Sequence, residues 1–243
     1  MPDWPAPAGV RALVTIRSGG VSAAPYASLN LGDHVGDDPV AVAENRAVLR
    51  RALPAEPVWL NQVHGSGIVD ADCVSGIPAA DGSVARKAGT VCAVLTADCL
   101  PVLLCDRSGT VVGAAHAGWR GLAGGVLEAA VKAMAVDPAE ILAWLGPAIG
   151  PRAFEVGGEV RHVFMAQDTA AERAFLPQAL PSTDKWLADI YLLARQRLAR
   201  VGVTRVFGGD LCTFGDAGRF YSYRRDGVTG RMASLIWLDS QAT

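Results

Sequence analysis

Apolar runs broken by short polar segments dominate the middle of the chain and predict a β-sheet there. Three segments are rich in Val, Leu and Ala, at 90–99, 101–106 and 110–121. Runs that are this short and this apolar are typical of strands covered on both faces. The centre of the sheet is therefore expected in these residues.

Segments whose apolar residues have helical spacing lie before and after this centre in the sequence. Asp38 is a predicted N-cap, Pro39 occupies the first helical position, and apolar residues recur every three or four positions as far as Pro54. The same spacing predicts helices over 121–136, 154–167 and 185–202. Further strands are expected at 12–17, 58–65, 141–150, 204–214, 220–227 and 232–239. The pattern predicts an α/β fold with a central mixed β-sheet flanked by helices.

A single domain over residues 1–243 accounts for the whole pattern, because no repeat, low-complexity tract or linker divides it. The chain is 51% hydrophobic and 19% charged, which supplies an ordinary core and excludes a disordered protein. Its net charge of -2 gives no field to attract nucleic acid or an anionic membrane, so small molecules are the expected partners. The pattern leaves the oligomeric state open.

The first residues and the cysteines both indicate a cytoplasmic protein. MPDWPAPAG lacks the basic and then apolar order of a signal peptide, and no run approaches the about 20 apolar residues that span a bilayer. The five cysteines are odd in number and form no CxxC pair. Reduced thiols are therefore expected, not a disulfide framework.

Three residues that can bind a metal stand at the ends of predicted strands, namely His64 in NQVHG, Cys99 in TADCLP and His116 in AAHAGWRG. Separations of 35 and 17 residues are too long for a zinc finger, so these side chains must converge from different strands. Two His and one Cys match a catalytic zinc site, whose fourth position stays open. The same set also suits copper, but no methionine lies in a comparable motif to serve as an axial ligand.

Taken alone, each of these residues also fits an ordinary role. A histidine can form hydrogen bonds within a turn, and a cysteine can be a buried thiol in the core. Their shared position at strand ends, beside glycine or a carboxylate, favours the metal site. Cys92 and Cys105 lie within apolar runs and are interpreted as core residues. His162 falls on a predicted helix, and His34 lies in a polar loop where substrate contact and solvent exposure fit equally well.

Polar groups suited to an anionic ligand lie near this set. Arg17 ends a predicted strand just before the SGG segment 18–20, where glycines let backbone amides approach a phosphate. Arg120 in GWRG stands at the expected start of a helix, whose positive end favours an anion, although a salt bridge explains it equally well. Asp98, next to Cys99, is a candidate general base or a candidate acceptor that orients a metal-bound histidine.

Several motifs carry a resemblance to a known family over almost the whole chain. They are RSGGVS, NLGDHVGDD, ENR, NQVHG, TADCLPV, HAGWRG, IGPRAFEVG and FYSYRRDGVTGRMASLIWL. In them the sequence resembles the bacterial laccase-domain or multicopper polyphenol oxidoreductase family of the YfiH type, also called peptidoglycan editing factor and purine nucleoside phosphorylase. The resemblance implies an α/β fold akin to the catalytic domain of cytotoxic necrotizing factor, and zinc held by His64, Cys99 and His116.

The resemblance implies phosphorolysis of adenosine, inosine and methylthioadenosine to base and ribose 1-phosphate, together with adenosine deamination. The zinc deaminase signature HxE…PCxxC is absent, so deamination requires another arrangement. The oxidase label is poorly supported, because a multicopper site gathers several ions on close histidine pairs and this chain has four histidines and no HxH.

Phosphorolysis requires a phosphate beneath the anomeric carbon and stabilisation of the departing purine. We expect Arg17 and Arg120 to hold the phosphate, and Gln62, Asp98 and a group in the loop 30–38 to contact ribose and base.

Two other function classes stay open. In one, Cys99 without a metal is a nucleophile activated by His64 or His116 and hydrolyses an amide of a wrongly assembled cell-wall precursor. In the other, the protein senses zinc or a nucleoside without turnover. Analysis of the reaction products separates these classes from phosphorolysis.

Overall fold

The computed structural model describes residues 2–177 and 184–239. Within these residues, twelve strands, six α-helices and two short 3-10 helices form a single α/β domain. The strands are β1 (Val10–Val14), β2 (Ile68–Asp70), β3 (Gly82–Ala85), β4 (Cys92–Thr96), β5 (Leu100–Asp106), β6 (Val112–Ala117), β7 (Ile141–Leu145), β8 (Glu155–Gly157), β9 (Phe175–Pro177), β10 (Lys185–Ala188), β11 (Arg205–Gly208) and β12 (Met232–Leu238). The helices are α1 (Pro39–Arg50), α2 (Trp119–Ala123), α3 (Val126–Met134), α4 (Gly158–Met165), α5 (Ile190–Arg200) and α6 (Tyr223–Asp226), with 3-10 turns at Pro138–Glu140 and Thr169–Ala174.

A six-stranded mixed sheet, in the order β11-β7-β5-β6-β3-β2, forms the centre of the fold. The inner pairs β7/β5, β5/β6 and β6/β3 are antiparallel, whereas the outer pairs β11/β7 and β3/β2 are parallel. The three central apolar runs are confirmed as strands. The first of them, β4, lies in a different sheet from β5 and β6.

Alternation of side chains along β5 explains why this strand is apolar from Leu100 to Cys105. Val102 and Leu104 pack in the core shared with helices α3 and α5, while Leu103 and Cys105 pack in a second core on the opposite side. Successive side chains of a strand point to opposite faces, so a strand between two cores needs apolar residues at every position. All of β5 is accordingly buried.

A three-stranded antiparallel sheet, β1-β12-β4, covers one face of the central sheet. In β4, Cys92 and Val94 pack towards the central sheet, and Ala93 and Leu95 pack on the other side, where Leu49 of α1 lies. The layers are therefore helices, central sheet, small sheet and α1. A third sheet, β8-β10-β9, adds to the core on the helical side.

The predicted helices are shorter than the sequence suggested. The helix expected over 121–136 is divided into α2 and α3, because Gly125 adopts a φ of 90° between them. The segments 154–167 and 185–202 begin as strands β8 and β10 before they become helical. These strands pair with each other, so tertiary pairing overrides the local helical spacing.

Two predicted strands are wrong. Residues 220–227 contain the short helix α6, whose first turn is capped by Ser222 as its hydroxyl accepts a hydrogen bond from the amide of Arg225. Residues 58–65 form no regular strand and pair through single bridges at Val58 and Asn61. The irregular course of 58–65 brings His64 to the site described next.

Candidate metal centre and adjoining cavities

Cys99 lies in the turn where the chain passes from the small sheet to the central sheet, between β4 and β5. The preceding Asp98 has a φ of 91°, a conformation that residues other than glycine rarely adopt. Its carboxylate holds the turn in place: Oδ1 accepts from Thr213 Oγ1 and Oδ2 from the Arg224 amide, both at 2.6 Å. The described hydrogen bonds of Asp98 thus fix the position of Cys99 and involve no histidine.

His64 lies in a loop that is held by one carboxylate. Asp81 accepts hydrogen bonds from the backbone amides of Val63, His64 and Gly65 at 3.3, 2.9 and 2.6 Å. His64 itself has a φ of 59°, and a residue in this region costs about 1–3 kcal/mol. The three amide bonds to a charged acceptor offset that strain.

The same carboxylate orients His116 at the end of β6. His116 is 3% exposed, and its Nδ1 lies 2.8 Å from Asp81 Oδ1. An ionised carboxylate only accepts hydrogen bonds, so Nδ1 carries a proton in both charge states of the ring, and the proton that a metal would displace is the one on Nε2. Asp81, fully buried, therefore positions both histidines of the set.

The three expected ligands come together in the structure. Their ligand atoms lie within 4.8 Å of one another, and Cys99 Sγ is 4.0 Å from His64 Nε2. The two imidazole rings have centroids 4.8 Å apart and cross at 75°. A tetrahedral site with bonds of about 2.0–2.3 Å holds its ligand atoms roughly 3.3–3.8 Å apart, so this donor set is slightly wider than a closed site and small side-chain rotations would bring it onto one metal ion.

Electrostatics couple Cys99 to His116. Burial alone raises the pKa of the Cys99 thiol, but the positive charge of His116 and hydrogen bonds from both histidines outweigh burial and lower this pKa to about 6. Burial alone lowers the pKa of His116, and the negative charges of Cys99 and Asp81 raise it to about 9. The thiolate, the form that binds metals, is therefore favoured at neutral pH.

Asp81 is ionised for a related reason. Burial raises the pKa of this carboxyl, yet hydrogen bonds from His116 and from the amides of Gly65 and His64 bring it below its usual value. Hydrogen bonds made to the charged form favour that form.

Two glycines of HAGWRG permit the close packing of this centre. A Cβ atom at Gly118 would lie 2.9 Å from Cys99 Sγ and 3.3 Å from His64 Cδ2. A Cβ atom at Gly121 would lie 2.7 Å from the carbonyl oxygen of Gly65. Only glycine allows such a close approach of the backbone.

Two cavities meet at the metal ligands. The first, here called the Trp119 cavity, has a volume of about 330 Å³, and its own lining residues are Asp98, Trp119, Arg120, Ile149, Phe154, Ile190 and Arg224. The second, the Arg231 cavity, has a volume of about 370 Å³, and its own lining residues are His34, Gln62, Leu95, Thr96, His116 and Arg231. Both are lined by His64, Ala97, Cys99 and Tyr223.

The other predicted binding residues have different surroundings. Both polar atoms of the Gln62 amide bond to the backbone of Leu95, with Oε1 accepting at 2.7 Å and Nε2 donating at 2.9 Å. Gln62 thereby ties the His64 loop to β4. The guanidinium of Arg120 lies 4.4 Å from the centre of the Trp119 ring, and the structure describes no salt bridge to it.

Arg17 lines neither cavity. Its Nε and Nη1 donate to the backbone carbonyls of Ala27 and Ala217 at 3.2 and 3.0 Å. The two glycine amides that follow it, expected to cradle a phosphate, both donate to Ser28 Oγ, at 3.1 and 3.2 Å. The structure thus does not bring Arg17 to the metal centre.

Sequence analysis missed Asp81 and Arg231. Asp81 lies 17 positions after His64 and 35 before His116, so no local spacing connects it to either. Asp81 directly precedes the short strand β3, whose sequence GSVA has no apolar pattern that predicts a strand. The expectation for Cys92 and Cys105 is confirmed, since both are 0% exposed.

Comparison with known proteins identifies the family. The family model described as multi-copper polyphenol oxidoreductase laccase matches residues 11–239. The chain belongs to this laccase-domain family. A purine nucleoside phosphorylase of Pseudomonas aeruginosa is 62% identical over 98% of this chain and 97% of its own length. Purine nucleoside phosphorylase YfiH of Escherichia coli is 59% identical over 98% of each chain.

Solved structures show the same laccase-domain fold. A Neisseria meningitidis protein matches with a TM-score of 0.94 at 54% identity, over 98% of both chains. YlmD from Geobacillus stearothermophilus matches with a TM-score of 0.83 at 31% identity, over 96% of this chain and 93% of its own. In the part of the chain that the structure describes, no helix combines the length and the apolar character needed to cross a membrane.

Proposed function

We propose that this protein is a purine nucleoside phosphorylase with zinc at the His64–Cys99–His116 centre. The proposal is carried by similarity at 62% and 59% identity, over 98% of this chain, to relatives with that name. The geometry supports it, because the ligand cluster lies between two cavities at one edge of the sheets. The protein is thus an enzyme, and we propose that it acts on small molecules in the cytoplasm.

In this reaction the bond between C1′ and N9 breaks, its electron pair passes to the purine, and a phosphate oxygen bonds to C1′. A bound zinc ion supplies Lewis-acid stabilisation of developing negative charge. His64, Cys99 and His116 would hold the ion, and Asp81 positions the two imidazoles through hydrogen bonds to the His64 amide and to His116 Nδ1. Asp98 acts by holding the turn that carries Cys99, since both of its oxygens are already hydrogen-bonded.

The remaining residues divide into binding and positioning groups. Arg120 lies on the wall of the Trp119 cavity and is proposed to contact the substrate there. Gln62 is proposed as a positioning residue, because both ends of its amide hold Leu95. Arg17 is not proposed to bind phosphate, because it lines neither of the two cavities at the metal centre.

Polyphenol oxidation, which the description of the family suggests, has less support from the donor residues. Among the described residues one cluster of metal-binding side chains is present, and it contributes two histidines and one cysteine. Oxidation by several copper ions needs many more imidazole ligands than four histidines supply. One metal site of the zinc type is therefore proposed.

One observation favours a second candidate, a hydrolase that edits cell-wall precursors. Cys99 has a pKa lowered to about 6, and two histidines flank its sulfur, as in cysteine hydrolases. Without a metal, such a thiolate can attack an amide carbon. This candidate predicts amino-acid release from a peptidoglycan precursor by the metal-free protein.

Chromatography of reaction products tests the proposal. Adenosine or inosine should yield free base and ribose 1-phosphate only when inorganic phosphate is present. Equal base release in phosphate-free buffer would show a hydrolytic nucleosidase, and amino-acid release from a cell-wall precursor would show the editing hydrolase. Conversion of adenosine to inosine in the same assay would report deamination.

Metal analysis tests the zinc site separately. We expect about one zinc per chain, and replacement of His64, Cys99 or His116 by Ala should remove it. Cys73→Ala is the matched control, because Cys73 is exposed and lines neither cavity. Full zinc content in all three ligand variants would reject the site.

A further inference from the structure

The Arg231 cavity combines a half-buried cation with a lining that contains no carboxylate among its residues. Arg231 Nη1 donates hydrogen bonds to the carbonyl oxygens of Thr229 and Gly230, at 2.9 and 3.1 Å. In residues 2–177 and 184–239, no carboxylate forms an ion pair with this guanidinium. The nearby Asp98 is already bonded to Thr213 and Arg224.

His34 adds a second nitrogen donor at the mouth of this cavity. Its side chain is 58% exposed and lies 3.5 Å from Asp33, whose other oxygen is paired with Arg46 at 3.2 Å. The pKa of His34 is lowered, first by partial burial and then by the charge of Arg231. The two side chains thus face one interior whose single lining acid, the Cys99 thiolate, is paired with His116, which leaves the charge of Arg231 for an anion. Such an interior attracts an anion.

The Trp119 cavity differs in its large apolar and aromatic walls and in the presence of a carboxylate, Asp98, in its lining. Ile149, Phe154 and Ile190 give it an apolar wall, and Trp119 offers an aromatic surface. The two arginines of this cavity share the lining with the Asp98 carboxylate: Arg120 lies 4.4 Å from the centre of the Trp119 ring, and Arg224 Nη1 donates to the carbonyl oxygen of Glu155 at 2.8 Å. Apolar and aromatic walls with a few polar groups are typical of a site for a planar organic ligand.

Displacement at C1′ requires the two reactants on opposite sides of the ribose. The attacking phosphate oxygen and the departing purine nitrogen lie roughly in line with C1′ between them. Two cavities that share one wall meet this requirement, and here the shared wall holds His64 and Cys99. A ligand centred on that wall therefore has an apolar space on one side and a cationic space on the other.

We propose that the Arg231 cavity is the phosphate subsite, with Arg231 and His34 as phosphate-binding residues. The purine then occupies the Trp119 cavity, and the ribose lies at the wall shared by the two. This inference rests on the proposed phosphorylase function and assigns its subsites. In the step itself, a phosphate oxygen bonds to C1′ from the Arg231 side, and the C1′–N9 electron pair leaves with the purine on the Trp119 side.

Binding of inorganic phosphate to the zinc-loaded protein tests the subsite without turnover. Isothermal titration should show phosphate binding that weakens about 10- to 150-fold in Arg231→Met, as expected for losing one or two charge-assisted hydrogen bonds. Arg231→Lys should keep part of the affinity, because the charge stays and the planar fork is lost. His34→Gln, at an exposed position, should weaken binding with an unchanged melting temperature.

Steady-state kinetics then separates the two cavities. Arg231→Met should raise the KM for phosphate and leave the KM for inosine nearly unchanged, while Trp119→Phe should do the reverse. Arg51→Gln is the control for removal of a guanidinium, because Arg51 is exposed just after α1. The subsite assignment is overturned if folded Arg231→Lys and His34→Gln proteins bind phosphate like the parent, or if Arg120→Met alone abolishes phosphate binding.

The same measurements distinguish a failure of the proposed function from a failure of the subsite assignment. If the parent protein binds phosphate through Arg231 yet releases base equally without phosphate, the subsite stands and phosphorolysis is rejected. If phosphate-dependent cleavage is present but insensitive to Arg231 and His34, phosphorolysis stands and the subsite is rejected.

Discussion

The segments HAGWRG (116–121) and RSGGVS (17–22) each contain an arginine and two glycines next to a strand, but their surroundings differ. In HAGWRG, the glycines let the backbone pass close to Cys99 and Gly65, and His116 and Arg120 line cavities. In RSGGVS, the polar groups bond within the surrounding loops, where Ser28 Oγ accepts from two glycine amides.

The hydrogen bonds of Asn45 show that polar groups of RSGGVS already have partners within the protein. Its Oδ1 accepts from the Val21 amide at 2.8 Å, and its Nδ2 donates to Ser22 Oγ and to the carbonyl of Asn30, both at 2.8 Å. A polar segment whose donors already have partners has little to offer a ligand. Glycine and arginine beside a strand therefore indicate close packing of the backbone. Whether these residues belong to a binding site depends on which distant residues they contact.

The largest expected difference between the two segments is electrostatic, because only HAGWRG pairs a histidine with a cysteine thiolate. In metal-free Cys73→Ser protein, alkylation of Cys99 by iodoacetamide should be half-maximal near pH 6, where its pKa lies. At that pH an ordinary thiol of pKa about 8.5 reacts about 100-fold more slowly. The thiolate fraction of Cys99 rises with pH. His116→Gln removes the positive charge beside the thiol and should move the midpoint of alkylation to higher pH. An unchanged midpoint would contradict the electrostatic coupling between Cys99 and His116.

The next effect concerns the carboxylates around the first segment. Asp81→Asn should weaken zinc binding about 10- to 100-fold, because the amide cannot hold His116 Nδ1–H and the loop amides together. Asp106→Asn is the matched control, since this buried carboxylate accepts from the amides of Thr110 and Val111 in the turn between β5 and β6 and lines neither cavity. A competition titration with a zinc chelator measures both, and equal losses would show that Asp81 has no special role.

Glycine replacements compare the packing of the two segments directly. Gly118→Ala and Gly20→Ala both introduce a Cβ atom against close neighbours, Cys99 Sγ at 2.9 Å and Leu29 Cα at 2.7 Å. Each should lower stability by about 1–3 kcal/mol. Only Gly118→Ala should also lower zinc affinity, and thermal melts with zinc titrations distinguish the two. Loss of zinc affinity in Gly20→Ala would make RSGGVS part of the site.

The smallest effect is expected at Arg17. Arg17→Gln removes hydrogen bonds to two backbone carbonyls at a partly exposed position, which should cost about 1–2 kcal/mol and lower Tm by about 2–8 °C. The KM for phosphate should stay within about twofold of the parent value. A tenfold rise in that KM with an unchanged Tm would restore Arg17 as the phosphate residue.

Local patterns predicted the central strands well and the peripheral elements less well. Apart from Asp106 in β5 and His116 in β6, both strands are apolar because both of their faces are covered, so the sequence of each strand alone predicts it. The helix α6 and the strands β8 and β10 are short, and capping by Ser222 or pairing between distant strands determines them. The local spacing of apolar residues does not reveal such pairing.

Local residue types alone predicted the α/β class, the apolar core strands and the three residues of the candidate metal centre. Tertiary structure decided which polar residues join them. Asp81 reaches both histidines and Arg231 faces the second cavity because strands far apart in sequence end at the same place. Arg17 is held away for the same reason, since its hydrogen-bond partners, Ala27 and Ala217, come from distant loops that folding brings together.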